Sequence, residues 1–207
     1  MHRLDPLPAI LGATDIYVVD QILRGQIAPP MRIFDAGMGM GRNLAYLLKA
    51  GYPVQGLDPN PEAVEHVQAM QRRFAPTASE HNFRAETLEA TSFPAGCCDV
   101  LLCNAVLHFA RDLAQWQAMA EAAWRLLSPG GLFFARLATS IGIESLLDGR
   151  VEGWMTLPDG SQRFVVPAQR LHATAREWGA ESVDPLKTTV VDQARAMSTW
   201  VLRKPRT

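Results

Sequence analysis

The sequence has no long apolar segment, few cysteines and almost no net charge. No stretch of about 18 residues lacks charged or turn-forming side chains, so no membrane-spanning helix is expected. The first twenty residues contain Asp5, Asp15 and Asp20 and lack the apolar core and cleavage site of a secretory signal, which predicts a cytoplasmic protein. A formal charge of −1 provides no excess of basic side chains for a nucleic-acid partner.

The three cysteines are not spaced for zinc or redox chemistry. Cys97 and Cys98 are adjacent, Cys103 lies in an apolar run, and the sequence has no C-x-x-C. We therefore expect reduced, inert thiols and no metal site. With 48% hydrophobic and 20% charged residues over 207 positions, the composition is that of a globular domain that needs no disulfide.

Short apolar runs alternate with helical repeats through the first two thirds of the chain. The apolar runs predict strands at 31–36, 53–58, 83–86, 99–103 and 132–137. Amphipathic helices are predicted between them, with Asn60 and Asp112 as N-caps of two. This alternation predicts an α/β, Rossmann-like sheet that is mostly parallel and carries helices on both faces.

The last third of the chain departs from this alternation. Turn-forming residues at 157–160 separate two polar–apolar segments and predict a β-hairpin inserted after strand five. A helix over 167–178 and two strands near 183–191 and 196–202 follow, the last pair antiparallel, which gives seven sheet strands. We predict a single domain over 1–207, divided into an N-terminal helical cap (1–30), a cofactor-binding core (31–138) and a hairpin and C-terminal strands (139–207).

The segment Ile33–Asn43 carries a carboxylate and three glycines between a strand and a helix. Asp35 precedes Gly37, Gly39 and Gly41, and glycines let the backbone approach a ligand beside the free N–H groups of a helix start. The spacing is G-x-G-x-G rather than the G-x-G-x-x-G of dinucleotide sites. A carboxylate beside the loop disfavours a pyrophosphate and favours a cationic ligand.

A second acidic residue, Asp58, ends the second predicted strand and can accept hydrogen bonds from two ribose hydroxyls. A ligand with a ribose, a positive group and no phosphate is implied, and S-adenosylmethionine has all three features. Two structural alternatives remain open at this point. Asp35 could serve only to organise the glycine loop, and Asp58 could cap the helix that begins after Asn60.

Four motifs resemble the class I S-adenosylmethionine-dependent methyltransferases, of the small-molecule type 11/12 kind. These motifs are DAGMGMG, GLDPN, FPAGCCDVLLCNAVLHF and LLSPGG, and the resemblance covers roughly residues 31–137. The Gly-Arg-Asn at the first helix also resembles the branch containing tellurite-resistance methyltransferases. The resemblance implies in-line methyl transfer to a small molecule, without nucleic acid or membrane as partner, and leaves the oligomeric state open.

The resemblance also implies which residues hold the cofactor. Asp35 and Gly37 would flank its methionine moiety, Gly39 would lie under it, and Pro59 would pack near the adenine. The full expected set is Asp35, Gly37, Met38, Gly39, Gly41, Asn43, Asp58, Pro59, Glu86, Thr87, Leu88, Cys103 and Asn104.

Several of these expected roles have alternatives. Which of Glu86, Thr87 and Leu88 bonds the adenine amine stays open. Cys103 and Asn104 would offer backbone atoms to the ammonium group. Arg42 and Asn43 would either reach the cofactor's carboxylate or cap the loop. Met38 stands where smaller residues are common and is interpreted as a wall of the cofactor pocket.

His108 is the candidate catalytic residue, because it follows strand four at the edge where parallel sheets bind ligands. It is either a general base or a polar residue bonded to backbone in a turn. His108 and the hairpin are both expected beyond the carboxyl ends of strands four and five. Tyr17, Arg136 and Trp154 are the expected substrate contacts. Arg136 would meet an acidic substrate or pair with a carboxylate, and Trp154 would wall the pocket or anchor the hairpin.

An amphipathic N-terminal helix is expected to close over the cofactor, with Ile16, Val19 and Leu23 on one face. Two other functions compete with methyl transfer. One is a nicotinamide-dependent oxidoreductase, which the glycine spacing and Asp35 disfavour. The other is a non-catalytic S-adenosylmethionine-binding regulatory protein, because binding residues are easier to recognise than catalytic ones.

Overall fold

A computed structural model describes residues 6–206; residues 1–5 of the predicted cap and residue 207 lie outside the described residues. The helices are α1 (Leu7–Leu11), α2 (Ile16–Leu23), α3 (Leu44–Lys49), α4 (Pro61–Phe74), α5 (Leu113–Leu126) and α6 (Ala168–Glu177). The strands are β1 (Ile33–Ala36), β2 (Val54–Leu57), β3 (Phe83–Arg84), β4 (Cys98–Asn104), β5 (Leu127–Thr139), β6 (Gly153–Thr156), β7 (Gln162–Val165), β8 (Glu181–Ser182), β9 (Lys187–Val191) and β10 (Arg195–Arg203).

The central sheet is mostly parallel and has β1 and β4 at its centre. Its order is β3-β2-β1-β4-β5-β10-β8, and β9 also pairs with β10. Strands β1 to β5 run parallel, whereas β10 runs antiparallel to β5, β8 and β9. Because β8 and β9 pair with successive parts of β10, they share one edge position. The sheet thus has seven positions, and the predicted fold class is confirmed.

Helices cover both faces of this sheet, because side chains alternate across each strand. Phe34, Leu101 and Phe133 pack on the face covered by α5 and α6. Their neighbours Ile33, Val100 and Phe134 pack on the other face, where α2, α3 and α4 lie. Burial on both faces explains the nearly continuous apolar runs of the central strands. No helix between residues 6 and 206 is long and apolar enough to cross a bilayer.

The predicted hairpin is confirmed and lies outside the central sheet. Strand β6 pairs antiparallel with β7, from Gly153–Val165 to Thr156–Gln162. Strand β5 begins at Leu127, before the predicted start at residue 132. It pairs at Leu127 with Cys98 and resumes pairing at Leu132 with Val100, so the residues between form a bulge within the strand.

Two strand predictions near the sheet edges were wrong in extent. The third strand ends at Arg84 instead of residue 86, because the following residues fold into a loop around Glu86. The strand expected over 183–191 is interrupted at Asp184-Pro185. Proline has no N–H for the ladder, and the Asp184 carboxylate accepts hydrogen bonds from Gln21 and Arg24 instead.

The predicted packing face of α2 was also wrong. Ile16 and Leu23 are 74% and 81% exposed, and the buried residues of this helix are Val18 and Gln21. The helix is fixed at its N-terminus by Asp15, whose side chain accepts from the Tyr17 N–H. This anchor, together with the Gln21–Asp184 hydrogen bond, sets the rotation of the helix independently of its apolar pattern.

Strand β2 approaches β1 so closely that Gly56 has no room for a side chain. A Cβ atom at Gly56 would lie 2.7 Å from the backbone oxygen of Asp35 and 3.1 Å from the sulfur of Met38. The methionine side chain can move, but the strand backbone cannot without breaking the ladder. This glycine therefore fixes the spacing of the two strands that lead into the glycine-rich loop.

We expect Gly56→Ala to destabilise the protein by about 1–3 kcal/mol, the usual effect of overpacking a core. Urea unfolding measures this free energy. Gln55→Ala in the same strand is the matched control, because it removes atoms from a half-exposed side chain and adds none. Equal losses of stability in the two variants would show that the close contact at Gly56 does not matter.

Candidate functional site

A cavity of about 500 Å³ opens at the carboxyl ends of β1, β2 and β4. Ligands bind at this edge in open parallel sheets, because the loops that follow the strands converge there. The lining residues are Gly37, Gly39, Leu57, Asp58, Pro59, Thr87, Leu88, Glu89, Ala105, Val106, Phe109, Gln115 and Met119. Six residues predicted from the sequence are therefore brought together here, namely Gly37, Gly39, Asp58, Pro59, Thr87 and Leu88.

The three loop glycines have positive φ angles but different surroundings. A Cβ at Gly37 would clash with the Val106 side chain, and one at Gly41 would lie 2.9 Å from Val67. By contrast, a Cβ at Gly39, where φ is +51°, would meet no protein atom within 4 Å. Gly37 and Gly41 thus serve packing, whereas Gly39 leaves open space on the cavity side of the loop.

Asp35 is buried beneath the loop and is only partly satisfied. It is 2% exposed, and no protein group among the described residues donates a hydrogen bond to its Oδ2. Burial raises the pKa of the Asp35 carboxyl from 3.8 to about 7, while Arg42 opposes the shift and Asp58 adds to it. A buried carboxylate without a full set of partners is unfavourable unless a positive group approaches it.

Asp58 shapes the cavity wall through backbone hydrogen bonds. Its Oδ2 accepts from the Gly39 N–H at 2.8 Å, and its Oδ1 accepts from the Asn60 N–H at 2.9 Å. The side chain of Asn60 in turn caps α4. Asp58 thus holds the glycine loop against the end of β2, and each carboxylate oxygen keeps a lone pair for another donor.

Glu86 is engaged in its own loop, whereas Thr87 and Leu88 line the cavity. The Glu86 carboxylate accepts from the hydroxyls of Thr91 and Ser92 and from the Ser92 N–H. Burial raises the pKa of Glu86, but these hydrogen bonds outweigh burial and hold it below its usual value. Of the three candidate adenine contacts, the geometry therefore favours Thr87 and Leu88.

The end of β4 carries a second unsatisfied group. Asn104 is 8% exposed, and neither its Oδ1 nor its Nδ2 has a hydrogen-bond partner within the described part of the chain. Cys103 is fully buried in the core, and burial raises the pKa of its thiol, which keeps the thiol protonated. Ala105 follows with φ +65°, a strained conformation for a residue with a side chain.

Asp15 binds three residues that do not line this cavity, namely Arg42, Asn43 and Arg136. The side-chain oxygen of Asn43 accepts from the Asp15 N–H at 3.0 Å. The Asp15 carboxylate lies 3.2 Å from the Arg42 guanidinium and 3.7 Å from that of Arg136. We call these four residues the Asp15 cluster. The Asn43 side chain makes no capping hydrogen bond at the start of α3. Arg136 reaches the Asp15 carboxylate only at long range and shares it with Arg42.

A second, smaller cavity of about 280 Å³ adjoins the first and shares Ala105 and Phe109 with it. Its walls come from the segment after β4, the end of β5, the hairpin, the end of β9 and the start of β10. The lining residues are Ala105, His108, Phe109, Arg136, Ala138, Leu157, Ser161, Arg163, Val191, Arg195 and Met197. The hairpin thus reaches the carboxyl edge of the sheet, and Arg163 and Arg195 were missed because only folding brings them there.

His108 lies in this second cavity, held by a backbone hydrogen bond. It is 3% exposed, and its Nδ1 accepts from the Ala138 N–H at 3.2 Å. Burial first, and then the charges of Arg163 and Arg136, lower the pKa of His108 to about 3. The neutral ring therefore carries its proton on Nε2 and has no free lone pair. This geometry favours a hydrogen-bonding role over a general base.

Three further predicted residues lie outside both cavities. Met38 is 4% exposed and packs in the core beside Gly56. Tyr17 bonds Thr189 through its hydroxyl at 2.6 Å, and its ring lies 5.1 Å from the Arg136 guanidinium. Trp154 is 42% exposed on β6. Within residues 6–206, no three His, Cys, Asp or Glu side chains are grouped to hold a metal ion.

Comparison with known proteins places this architecture among methyltransferases. A family model described as a methyltransferase domain matches residues 34–135. A ubiquinone biosynthesis O-methyltransferase of Methylocella silvestris is 29% identical over 190 residues, which cover 84% of this chain and 71% of the relative.

Solved structures agree in fold. A methyltransferase from Methanosarcina mazei superposes with a TM-score of 0.69 at 16% identity, over 90% of this chain and 98% of that one. The 1,6-didemethyltoxoflavin-N1-methyltransferase of Burkholderia thailandensis, solved with 1,6-didemethyltoxoflavin and S-adenosylhomocysteine, gives 0.68 at 19% identity, over 92% and 81%.

The unsatisfied Asp35 carboxyl should make the stability of the ligand-free protein fall as the pH rises. The pKa of Asp35 in the folded protein, about 7, exceeds the ordinary 3.8. Its contribution to the free energy of unfolding is therefore most favourable below pH 3.8 and is lost as the pH rises to about 7. Asp35→Asn should therefore exceed the wild type in stability at pH 8, by at most roughly 4 kcal/mol, and by less at pH 5. Urea unfolding at both pH values measures this; an advantage that is equal at both would contradict it.

Proposed function

The chain belongs to the class I S-adenosylmethionine-dependent methyltransferases, and on that premise we propose that it methylates a small molecule bound in the second cavity. The observation that carries this proposal is the contact between the two cavities at Ala105 and Phe109. The larger cavity is lined by Gly37 and Gly39 of the glycine loop and by Asp58, three of the residues expected around the cofactor. The smaller one opens beside it and is walled by elements that the cofactor does not need.

The larger cavity fits S-adenosylmethionine in its charge and in its open space. The cofactor carries a positive sulfur and an ammonium group, and the buried Asp35 and Asn104 side chains lack partners for such groups. Gly39 leaves open space on the cavity side of the loop. Asp58 retains lone pairs for the two ribose hydroxyls. Thr87 and Leu88 would lie along the adenine.

In the proposed reaction, S-adenosylmethionine supplies the methyl group; the acceptor's lone pair forms the new bond, the carbon–sulfur pair returns to sulfur, and the acceptor's proton leaves to solvent. The chain's own residues position the acceptor. Ala105 and Phe109 separate the cavities, so an acceptor atom must pass between them. Holding the acceptor in line is the main contribution that such a site makes to the rate.

His108 would position the acceptor instead of removing its proton. Because Nδ1 accepts from the Ala138 N–H, the Nε2–H remains free to donate. It would donate a hydrogen bond to an oxygen or nitrogen atom of the methyl acceptor. The hairpin closes the opposite wall.

The cytoplasmic location expected from the sequence remains part of the proposal, supported by the three unpaired cysteines.

Release of S-adenosylhomocysteine tests the proposal without knowledge of the atom that is methylated. The names of the relatives specify oxygen in one case and N1 in another, so a product common to both is the proper readout. We expect turnover when the protein and S-adenosylmethionine are incubated with a panel of small hydroxy, amino and thiol compounds. Tight cofactor binding with no turnover on any small compound, but with turnover on a protein or RNA, would contradict it.

Gly39→Ala should weaken S-adenosylmethionine binding while the fold survives. The new methyl group meets no protein atom but enters the space beside the loop. Overpacking of about 1–3 kcal/mol corresponds to a roughly 5- to 150-fold loss of affinity. Calorimetric titration measures it. Gly51→Ala is the matched control, since Gly51 also has a positive φ and no neighbour within 4 Å but lies outside the cavity. Equal affinities of the two variants would remove Gly39 from the cofactor site.

The two roles of His108 can be separated with His108→Asn. Asparagine retains an acceptor for the Ala138 N–H but cannot serve as a base. If positioning is the role, kcat should stay within about tenfold of the wild type and the change should appear mainly in KM. Loss of a general base would lower kcat by about 10²–10⁴-fold in His108→Asn and His108→Ala alike. Steady-state kinetics on an acceptor from the panel decides between them.

A further inference from the structure

The second cavity is lined by three arginines, and its lining contains neither aspartate nor glutamate. Arg136 comes from the end of β5, Arg163 from the hairpin and Arg195 from the start of β10. Three elements that are distant in sequence therefore each direct a guanidinium to one small space. Such an arrangement is unfavourable unless carboxylates or a bound anion balance the charge.

The chain's own carboxylates balance these charges only in part. Arg195 pairs with Asp159 at 3.1 Å, which ties β10 to the hairpin turn. Arg136 reaches Asp15 only at 3.7 Å and shares it with Arg42, which lies closer at 3.2 Å. The buried Nε of Arg136 has no hydrogen-bond partner among the described residues.

Arg163 has no acidic partner at all within residues 6–206. Its guanidinium donates to the backbone oxygen of Gln162 at 2.7 Å and lies 5.1 Å from the Phe109 ring. That ring is part of the wall common to both cavities. Most of the five donors of a guanidinium remain for a ligand here, and their planar fork matches carboxylate or phosphate oxygens.

His108 adds a neutral donor to the same wall. Burial, together with the positive charges of Arg163 and Arg136, holds its pKa well below the usual range, so the ring adds no further positive charge. Its Nε2–H remains as a donor, because Nδ1 is engaged with Ala138. Donors therefore predominate in the polar wall of the cavity.

We propose that the methyl acceptor is a small organic anion whose carboxylate or phosphate group binds Arg163 and Arg136, with its nucleophilic atom directed toward Ala105 and Phe109. This inference rests on the proposed function, because it identifies the occupant of the acceptor cavity. A volume of about 280 Å³ lies just below the range of about 300–1,000 Å³ for drug-sized ligands, which suits a compact acid. Arg195 serves mainly to hold the hairpin through Asp159.

Matched acceptor pairs test the charge requirement directly. The probes are hydroxy- and aminobenzoates, each paired with its uncharged carboxamide and with the corresponding aryl phosphate. Each probe is titrated calorimetrically into wild-type protein saturated with S-adenosylhomocysteine. We expect at least one anion to bind about 10- to 100-fold tighter than its carboxamide, the range for charge-assisted hydrogen bonds. The preferred anion, carboxylate or phosphate, identifies the group.

Arg163→Gln should remove this preference and leave the affinity for S-adenosylhomocysteine unchanged. Arg176 is exposed on α6 and lies outside both cavities, so Arg176→Gln is the control for the loss of one positive charge. This variant should retain the preference for the anion. The proposal is overturned if carboxamides bind as tightly as the anions, if no anion binds, or if the preference survives in both Arg163→Gln and Arg136→Gln. Failure of wild-type protein to bind S-adenosylhomocysteine would instead overturn the proposed function.

Discussion

The burial of one carboxylate, that of Asp35, is the constraint on which the site depends. It lies at the end of the central strand, under a glycine-rich loop, with one oxygen that no neighbouring side chain or backbone group among the described residues satisfies. Strand β2 packs closely against the Asp35 backbone at Gly56, where a Cβ atom would lie 2.7 Å from the Asp35 carbonyl oxygen. The protein thus keeps a carboxylate in a buried position that disfavours its negative charge, and a nearby cation would stabilise that charge. A positively charged cofactor satisfies that requirement, whereas a pyrophosphate would oppose it.

The Asp15 cluster physically joins the glycine-rich loop to the second cavity. Arg42 and Asn43 directly precede α3, while Arg136 lines the second cavity. All three meet Asp15, which also begins α2. The N-terminal helix is therefore tied to both cavities through one buried carboxylate, although α2 itself contributes no lining residue to either. This explains how a helix with an exposed apolar edge keeps a fixed orientation.

The features that the sequence predicted are the local ones. The strand–loop–helix at Asp35, the strand end at Asp58 and the hairpin after strand five each follow from spacing and turn chemistry within about twenty residues. The features it missed depend on contacts between distant segments. The Glu86 carboxylate accepts hydrogen bonds from Thr91 and Ser92, and the orientation of α2 is set by Asp15. Arg163 reaches the second cavity only because the hairpin folds back toward the ends of β4 and β5. No periodicity in the chain encodes these contacts.

We propose that S-adenosylmethionine brings its positive charge to the buried Asp35 carboxyl, and the protons released on binding test this contact most directly. Asp35 has a pKa of about 7 before binding, and a nearby cation lowers it. Calorimetric titration with S-adenosylmethionine at pH 6.5, in two buffers of different ionisation enthalpy, should show release of a fraction of a proton per site, and Asp35→Asn should show none. A binding enthalpy independent of buffer, or the same proton release in Asp35→Asn, would contradict the account.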